Sequence, residues 1–387
     1  MQATSESSRE ALYSVEEAVY GVLNDTPVFK RLRKTSVKLA LSKEGFTSEE
    51  ADPRRQIRDF RHGNKQVGGE IGFELSYGSF DDQLEALLFS EDWAPRLEVT
   101  SSAISAAASD DSYNGVGLPV FTVGEKLTVS GFATGGNNGT KTVVTSTTVK
   151  LVVAEALTDE AVGEEVTIET VSESIKAGIN RRSFSLMRHF EDQEDGAAEP
   201  YHITLGWMWG AFSLTVAPGG VIKGTFSGLG RDVAFGETAP AGSTLGTPTS
   251  SRMFDSFSGW LKEGGVTIAN VTEISLNLDN GLQPLFVCFD DKTLEPSAGR
   301  SNATGQITAH FKDTSLLRKF VDETPSSLVF KLIDRSGNAY IFTLPNISYT
   351  GGQVDTATEG PILLPMPFQA IADAILDSQI QIERIPA

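Results

Sequence analysis

The sequence predicts a mainly β protein built from two copies of one strand, loop, strand and helix unit, with a small all-β domain inserted into the first copy. Three observations carry this. Thirty-seven glycines punctuate short runs in which Thr, Val, Ser and Phe alternate, a composition that favours strands joined by tight turns. Two distant segments share one order of elements at a nearly constant spacing. That spacing then shortens by about 92 residues downstream, so the first copy holds extra chain.

In the first copy, Thr35 to Leu41 places Val37, Leu39 and Leu41 on one face at strand period. After a polar loop, Val67, Gly69, Ile71, Phe73, Leu75 and Tyr77 alternate with Gly68, Glu70, Gly72, Glu74 and Ser76. A helix is predicted from Phe80 to Phe89, with Phe80, Leu84, Leu87 and Leu88 on one side and Asp81 and Asp82 in the first turn, where the helix dipole favours them. In the second copy Thr272 to Leu278 repeats the first strand and Gly305 to Phe311 the second, and a helix with Leu316, Leu317, Phe320 and Val321 follows. Thr272 follows Thr35 and Gly305 follows Gly69 at spacings equal to within one residue. Further on, Ser183–His189 with Tyr201–Leu205 resembles Ser327–Leu332 with Tyr340–Leu344, at the shorter spacing.

The extra chain must therefore lie between Ser90 and Asn180. It opens with Ser101–Ser112, a Ser, Ala and Asp stretch read as a linker with little to bury. Four short strands follow, Leu127–Val129, Thr140–Val144, Val149–Val153 and Val166–Ile168. The expected boundaries are an N-terminal arm at 1–34, a first module at 35–99 with 176–235, an inserted domain at 100–175 with linkers, an inter-module linker at 236–271, a second module at 272–375 and a C-terminal arm at 376–387.

Composition limits the function classes. One cysteine, Cys288, rules out an intramolecular disulfide framework and a Cys-rich metal site. Met1 to Glu10 is polar, and no stretch approaches the roughly 18 apolar residues of a membrane helix, so neither a signal peptide nor membrane insertion is expected. A formal charge of -19 argues against binding nucleic acid by phosphate neutralisation. Against that background Lys30 to Lys65 gathers eleven basic residues and five acidic ones. This basic, mostly loop segment reads as an electrostatic plug for an identical neighbour. As a DNA-reading element Arg54–Arg58 lacks interleaved aromatics and a helical reading head.

Catalytic patterns are missing. His62, His189, His202 and His310 are dispersed without metal-ligand spacing. Gly228–Leu–Gly230 begins like a dinucleotide fingerprint, but Val233 stands where the third glycine is needed. The sequence has neither Gly-x-Ser-x-Gly nor Gly-Lys-Ser/Thr. The acidic run Glu191–Asp195 lacks the turn glycine of a calcium loop and reads as a solvated hairpin tip. Trp207, Met208 and Trp209 read as a strand end buried in the core or against a neighbouring subunit. No enzyme and no cofactor is expected.

The stretch Arg54–Arg61 leading to Gly68–Gly78 and Phe80–Glu85 resembles the tail tube proteins of non-contractile, long-tailed bacteriophages. So does Ala177–Leu186 followed by Gly220–Gly228. The resemblance implies a duplicated tail-tube module, a β-sandwich or partial barrel with a flanking short helix, whose inner sheet joins those of its neighbours around a lumen. It implies stacked homo-oligomeric rings, three chains per ring in the duplicated type, with the tape measure protein, tail terminator and distal tail or baseplate proteins as partners. Viral DNA would pass without specific binding, and assembly would occur in the host bacterial cytoplasm before incorporation in the virion. On this reading Glu70, Glu74, Gln306 and His310 are lumen-facing candidates, so that acidic patches of the first copy alternate with neutral ones of the second. Arg54, Arg55, Arg58 and Arg61 are candidates for ring stacking. The rival class is a tail fibre or adhesin-type β-sandwich that binds a receptor or carbohydrate.

Overall fold

A computed structural model describes residues 5–50, 53–94, 97–121, 126–170, 172–193, 199–354, 359–374 and 376–387. The chain divides into two compact units, one of residues 1–91 with 176–382 and the other of 92–175 with 383–387. Each is built almost wholly of antiparallel strands.

In the larger unit the first copy comprises strands β1 (Glu10–Glu16), β2 (Val28–Leu32), β3 (Ser36–Thr47) and β4 (Phe60–Glu74), helix α1 (Asp81–Leu87), and strands β5 (Phe184–Phe190), β6 (Tyr201–Val216), β7 (Lys223–Gly230) and β8 (Asp232–Gly236). The second comprises β9 (Gly259–Glu263), β10 (Val271–Asp279), a short hairpin β11 (Gln283–Leu285) and β12 (Leu294–Ser297), then β13 (Asn302–His310), α2 (Ser315–Val321), β14 (Ser326–Ile333), β15 (Ala339–Tyr349) and β16 (Leu363–Ala370). The pairing scheme repeats. β3 pairs with β4, β4 with β7, β7 with β6 and β6 with β5; correspondingly β10 pairs with β13, β13 with β16, β16 with β15 and β15 with β14. Register repeats too: Leu39 lies opposite Gly69, and Leu276 opposite Gly305.

β6 joins the two sheets of the first copy and also joins the copies. Its first part, Tyr201 to Leu205, pairs with β5 and β8 in an outer sheet that continues through β1 to β2. Its last part, Ala211 to Val216, lies between β7 and β10 in an inner sheet. One strand can serve two sheets only if it bends, and the bend is at Gly206, whose φ is 65°. A Cβ there would lie 2.9 Å from Cβ of Arg231 and 3.0 Å from Cζ of Tyr20, so both conformation and space demand glycine. The buried carboxylate of Glu17 holds the bend, accepting hydrogen bonds from the Gly206 and Gly21 amides (2.8 and 2.7 Å) and from the Ser183 and Ser185 hydroxyls (2.8 and 2.7 Å). A buried charge persists only when its oxygens are satisfied in this way.

Past the bend, side chains of the inner sheet alternate. Val67, Ile71 and Phe73 on β4 and Phe212 and Leu214 on β6 are buried. Phe73 packs on Phe226 and on Phe80 beside α1, with centroids 4.6 and 4.7 Å apart, and Trp209 meets Phe226 edge-on at 5.5 Å. Trp207 and Trp209 are thus core residues of the first copy. In the second, Phe330 stacks on Phe342 at 4.9 Å.

Several expected boundaries move. The N-terminal stretch holds β1 and β2, which pair into the outer sheet, and the inter-module stretch holds β9, which pairs with β14. The hairpin β3–β4 runs from Ser36 to Glu74 as strand on both sides, well past the predicted ends at Leu41 and Val67. In the smaller unit the four predicted strands appear at Lys126–Ser130, Gly139–Ser146, Lys150–Val153 and Val166–Thr170, joined by Glu98–Ser101, Ser105–Ala107 and Ser112–Asn114 in one seven-stranded sheet. The stretch read as a linker is therefore structured. Ile104, Ala106 and Tyr113 contribute to the unit's core with Leu127, Leu151 and Ile168. The chain's end belongs with this unit, where the Arg384 guanidinium bonds Glu173 and lies 4.6 Å from the Trp93 ring. Of the acidic run, residues 194–195 lie outside the described residues.

Two outcomes follow from these packing relations. Gly206→Ala should destabilise the larger unit by about 1–3 kcal/mol, read as a lowered midpoint in urea unfolding; an unchanged midpoint would contradict the bend as described. At the neck of the insert the Thr170 amide donates to Leu97 O at 2.9 Å and the Leu97 amide to Thr170 Oγ1 at 3.0 Å. Replacing residues 98–169 with a short Gly/Ser linker should thus leave the larger unit folded with unchanged near-UV dichroism from Trp207 and Trp209.

Candidate functional site

Two surfaces of the larger unit carry the residues singled out by the sequence: the polar face of the inner sheet and the projecting hairpin. The inner sheet runs β3, β4, β7, β6, β10, β13, β16, so strands of both copies share one face. Glu70 and Glu74 lie on that face, opposite in direction to Ile71 and Phe73, and the second copy places Gln306 and His310 there between buried Gly305, Ile307 and Ala309.

Charge on this face is distributed otherwise than expected. Cross-strand partners neutralise the first copy's glutamates, Lys38 Nζ standing 2.6 Å from Glu70 and Lys223 Nζ 4.0 Å from Glu74. In the second copy Glu273 and Asp279 of β10 point outward and no lysine faces them among the described residues of these strands. The remaining positions are mostly neutral and polar, as with Ser213, Thr225, Ser227, Ser275, Asn277 and Thr304. The acidic patch therefore falls on the second copy, the reverse of the expectation. Lys38 could have been found, because it alternates with Val37 and Leu39; Lys223 depended on the register of β7, which periodicity does not fix.

The hairpin β3–β4 keeps pairing to Thr47 opposite Phe60, and from Lys43 outward its residues are exposed on both faces of β3. Aromatic rings cover its glycines across the ladder: a Cβ on Gly63 would lie 2.1 Å from Phe46, and one on Gly45 2.8 Å from Phe60. Such cross-strand covering stiffens a ribbon that has no core beneath it. Arg54, Arg55, Arg58 and Arg61 are all exposed at or near its tip. So are Phe46, Ile57 and Phe60, at 57%, 71% and 54% of their area, which makes the tip both basic and apolar. At the base of the segment Lys30 pairs with Asp82 and Lys34 with Glu10, each at 2.6 Å, as Lys38 does with Glu70.

The second copy's hairpin, β11–β12, folds against the foot of the first. The Lys65 amide donates to Asp291 O at 2.7 Å. Asp232 receives both Lys65 Nζ, at 3.1 Å, and Lys292 Nζ, at 2.6 Å. Burial alone would raise the Asp232 pKa, but the bonds from Lys292, Lys65 and the Val233 amide outweigh it and hold the carboxyl below its ordinary range. This cluster leaves no local signal in the sequence, because its members are far apart in the chain and meet only through tertiary pairing.

Among the described residues no group of three His, Cys, Asp or Glu is placed to hold a metal. His189 is stacked on Tyr201 at 4.3 Å, and His202 sits between Phe190 and Phe235. Among the described residues no helix is long and apolar enough to cross a membrane.

The chain is thus a β-protein of duplicated two-sheet modules whose inner strands run through both copies. The family model for phage tail tube proteins matches residues 7–370, and the chain belongs to that family. Comparison with curated protein sequences finds no match. Membership makes it a component of the virion tail that self-assembles into a tube with other tail proteins.

The Asp232 cluster yields a pH-dependent outcome. A carboxyl whose pKa is lowered on folding stabilises the protein above its unfolded pKa, and that contribution is lost as pH falls through the folded value. Asp232→Asn should cost about 1–3 kcal/mol near neutrality, and its melting difference from the parent should vanish in acid; a difference that persists in acid would assign the loss to packing instead.

Proposed function

We propose that the chain closes into rings of three, each presenting six wall modules, and that stacked rings form the conduit through which viral DNA is delivered to the host cell. The observation that carries this is the edge-to-edge pairing of β6 with β10. Two modules already share one sheet with a single polar face, so repetition of that join would curve a wall around a lumen and remove the exposed edges that many-stranded sheets must otherwise protect. Glu70, Glu74, Gln306 and His310 would then face the channel. A face of hydroxyls, amides and compensated charges, with net negative charge from Glu273 and Asp279, offers phosphates no binding site and repels them weakly.

The hairpin tip with Arg54, Arg55, Arg58 and Arg61 would insert against acidic surface of the next ring, and Phe46, Ile57 and Phe60 would be covered there. The tape measure protein in the lumen, the tail terminator at one end and distal tail or baseplate proteins at the other complete the partner set, with assembly in the bacterial cytoplasm.

Image reconstruction of tubes grown from purified protein tests the reading by counting chains per ring. Six chains per ring, each with one module outside the wall, would overturn the stoichiometry. Reversing the four arginines to glutamate should abolish stacking while single rings or monomers stay folded. Glu70→Gln with Glu74→Gln should leave tubes intact, because exposed ion pairs contribute only about 0–1 kcal/mol. Stacking should weaken in salt without vanishing, since apolar burial at Phe46, Ile57 and Phe60 is not screened.

A further inference from the structure

Resting on the ring reading, we infer that the two sheet edges left open in one chain join to each other between chains, and that the join inside the chain sets the register. Inside the chain, the last inner strand of the first copy meets the first strand of the second: Ala211 lies opposite Asp279, Phe212 opposite Leu278, Ser213 opposite Asn277 and Leu214 opposite Leu276. The counterpart of β10 is β3, which pairs with β4 on one side and with no described strand on the other. The counterpart of the 211–214 stretch must follow β15.

The chain after Tyr349 repeats the earlier geometry. Trp209 lies opposite Gly228, and an extra residue then brings Ala211 opposite Ser227 and Phe212 opposite Phe226. In the second copy Tyr349 lies opposite Phe368, and the Thr350 amide donates to Pro367 O at 2.9 Å. A Cβ on Gly351 would lie 3.3 Å from Pro367 Cγ, and one on Gly352 2.8 Å from Met366 Sδ. Position 351 therefore shares the polar face with Pro367, as Ala211 does with Ser227, and position 352 turns to the core beside Met366, as Phe212 does beside Phe226. Residues 351 and 352 thus follow the path of 211 and 212, and on the inferred pairing 353 and 354 continue it as 213 and 214 do. Carried onto β3, the internal register puts Gly351 of one copy opposite Ser42 of the next, Gly352 opposite Leu41, Gln353 opposite Ala40, and Val354 opposite Leu39.

Burial on the two sides of the repeat agrees with an absent neighbour. Leu278, covered by β6, is 2% exposed, whereas its counterpart Leu41 is 39% exposed. Five residues of α1, from Gln83 to Leu87, are buried, and the second copy reaches this helix through Asn280 Nδ2, which donates to Leu87 O at 2.6 Å. α2 has no buried residue. The flank of the second copy is thus uncovered where the flank of the first is covered by the second. The occupant that fits is another copy of this chain, because β3 and its surroundings are the counterpart of what covers the first flank.

Thiol crosslinking tests the register in a Cys288→Ser background. Ala40→Cys and Gln353→Cys alter two exposed residues on the polar face, so the fold should be undisturbed. Together they should give a ladder of covalent oligomers under mild oxidation or with a short bismaleimide, and neither single variant should. Ser36→Cys with Gln353→Cys, displaced by four residues or about 13 Å along the strand, should give none. Tubes by electron microscopy without a ladder would overturn the pairing and leave the ring reading standing. A ladder from protein that makes no tubes would support the pairing and count against the conduit. Absence of both overturns both. Independently, a map of parent tubes that shows any segment other than 351–354 beside β3 overturns the assignment without use of a variant.

Discussion

A strand edge left unpaired exposes a row of amides and carbonyls, and the larger unit is organised around keeping such edges occupied. β6 is the means. By bending at Gly206 it closes the outer sheet with its first part and the inner sheet with its second, and its far side receives β10. The Glu17 carboxylate and its four hydrogen bonds tie the end of β1 to β5 and β6 at that bend. Remove the bend and β6 could belong to one sheet only, so either the sandwich or the join between copies would be lost. The aromatic core, the shared polar face and the placement of both hairpins depend on this strand.

Much of this architecture was legible in the sequence, for a physical reason. Where a strand has one face in the core, alternation is imposed by burial, and Val67 to Leu75 and Gly305 to Phe311 display it. The spacing of the repeat is kept in the fold, because Leu39 against Gly69 and Leu276 against Gly305 are set by the same cross-strand contact. Elements without that constraint were read poorly. β3 and β4 extend beyond Leu41 and before Val67 over a ribbon with no core under it, so no alternation marks them; their signal is the diagonal covering of Gly63 by Phe46 and of Gly45 by Phe60 across the ladder. Ser101 to Ser112 read as linker since small residues bury little, although Ile104 within that stretch and Tyr113 just past it were available clues. Alternation placed Glu70 and Glu74 on the polar face, but their neutralising lysines were not all visible, because Lys223 meets Glu74 only through tertiary register.

The two copies have diverged most where they do not share the inner sheet. One hairpin projects with four arginines and three exposed apolar residues. The other lies down against Lys65 and Asp232, and between its strands exposes Val287 and Phe289. One helix is buried and the other is not. The second copy reaches the first helix through Asn280, a contact that α2 does not receive among the described residues, so these differences reflect position in the chain as well as divergence of sequence.

Duplication within one chain also frees the copies from identical chemistry. In a ring of single-module subunits every wall position and every hairpin would be the same residue six times. Here the paired Lys38–Glu70 and Lys223–Glu74 of one copy differ from Glu273 and Asp279 of the other, which face no lysine among the described residues of their strands. The basic projecting hairpin of one copy likewise contrasts with the other's, which is held down by an ion-pair cluster. A ring of such chains would keep sixfold regularity of the backbone, which edge pairing requires, while its charge and its axial contacts repeat three times. The pairing and register of the inner sheet repeat between the copies, Leu39 on Gly69 and Leu276 on Gly305, whereas the hairpins that leave that sheet differ in length, charge and packing.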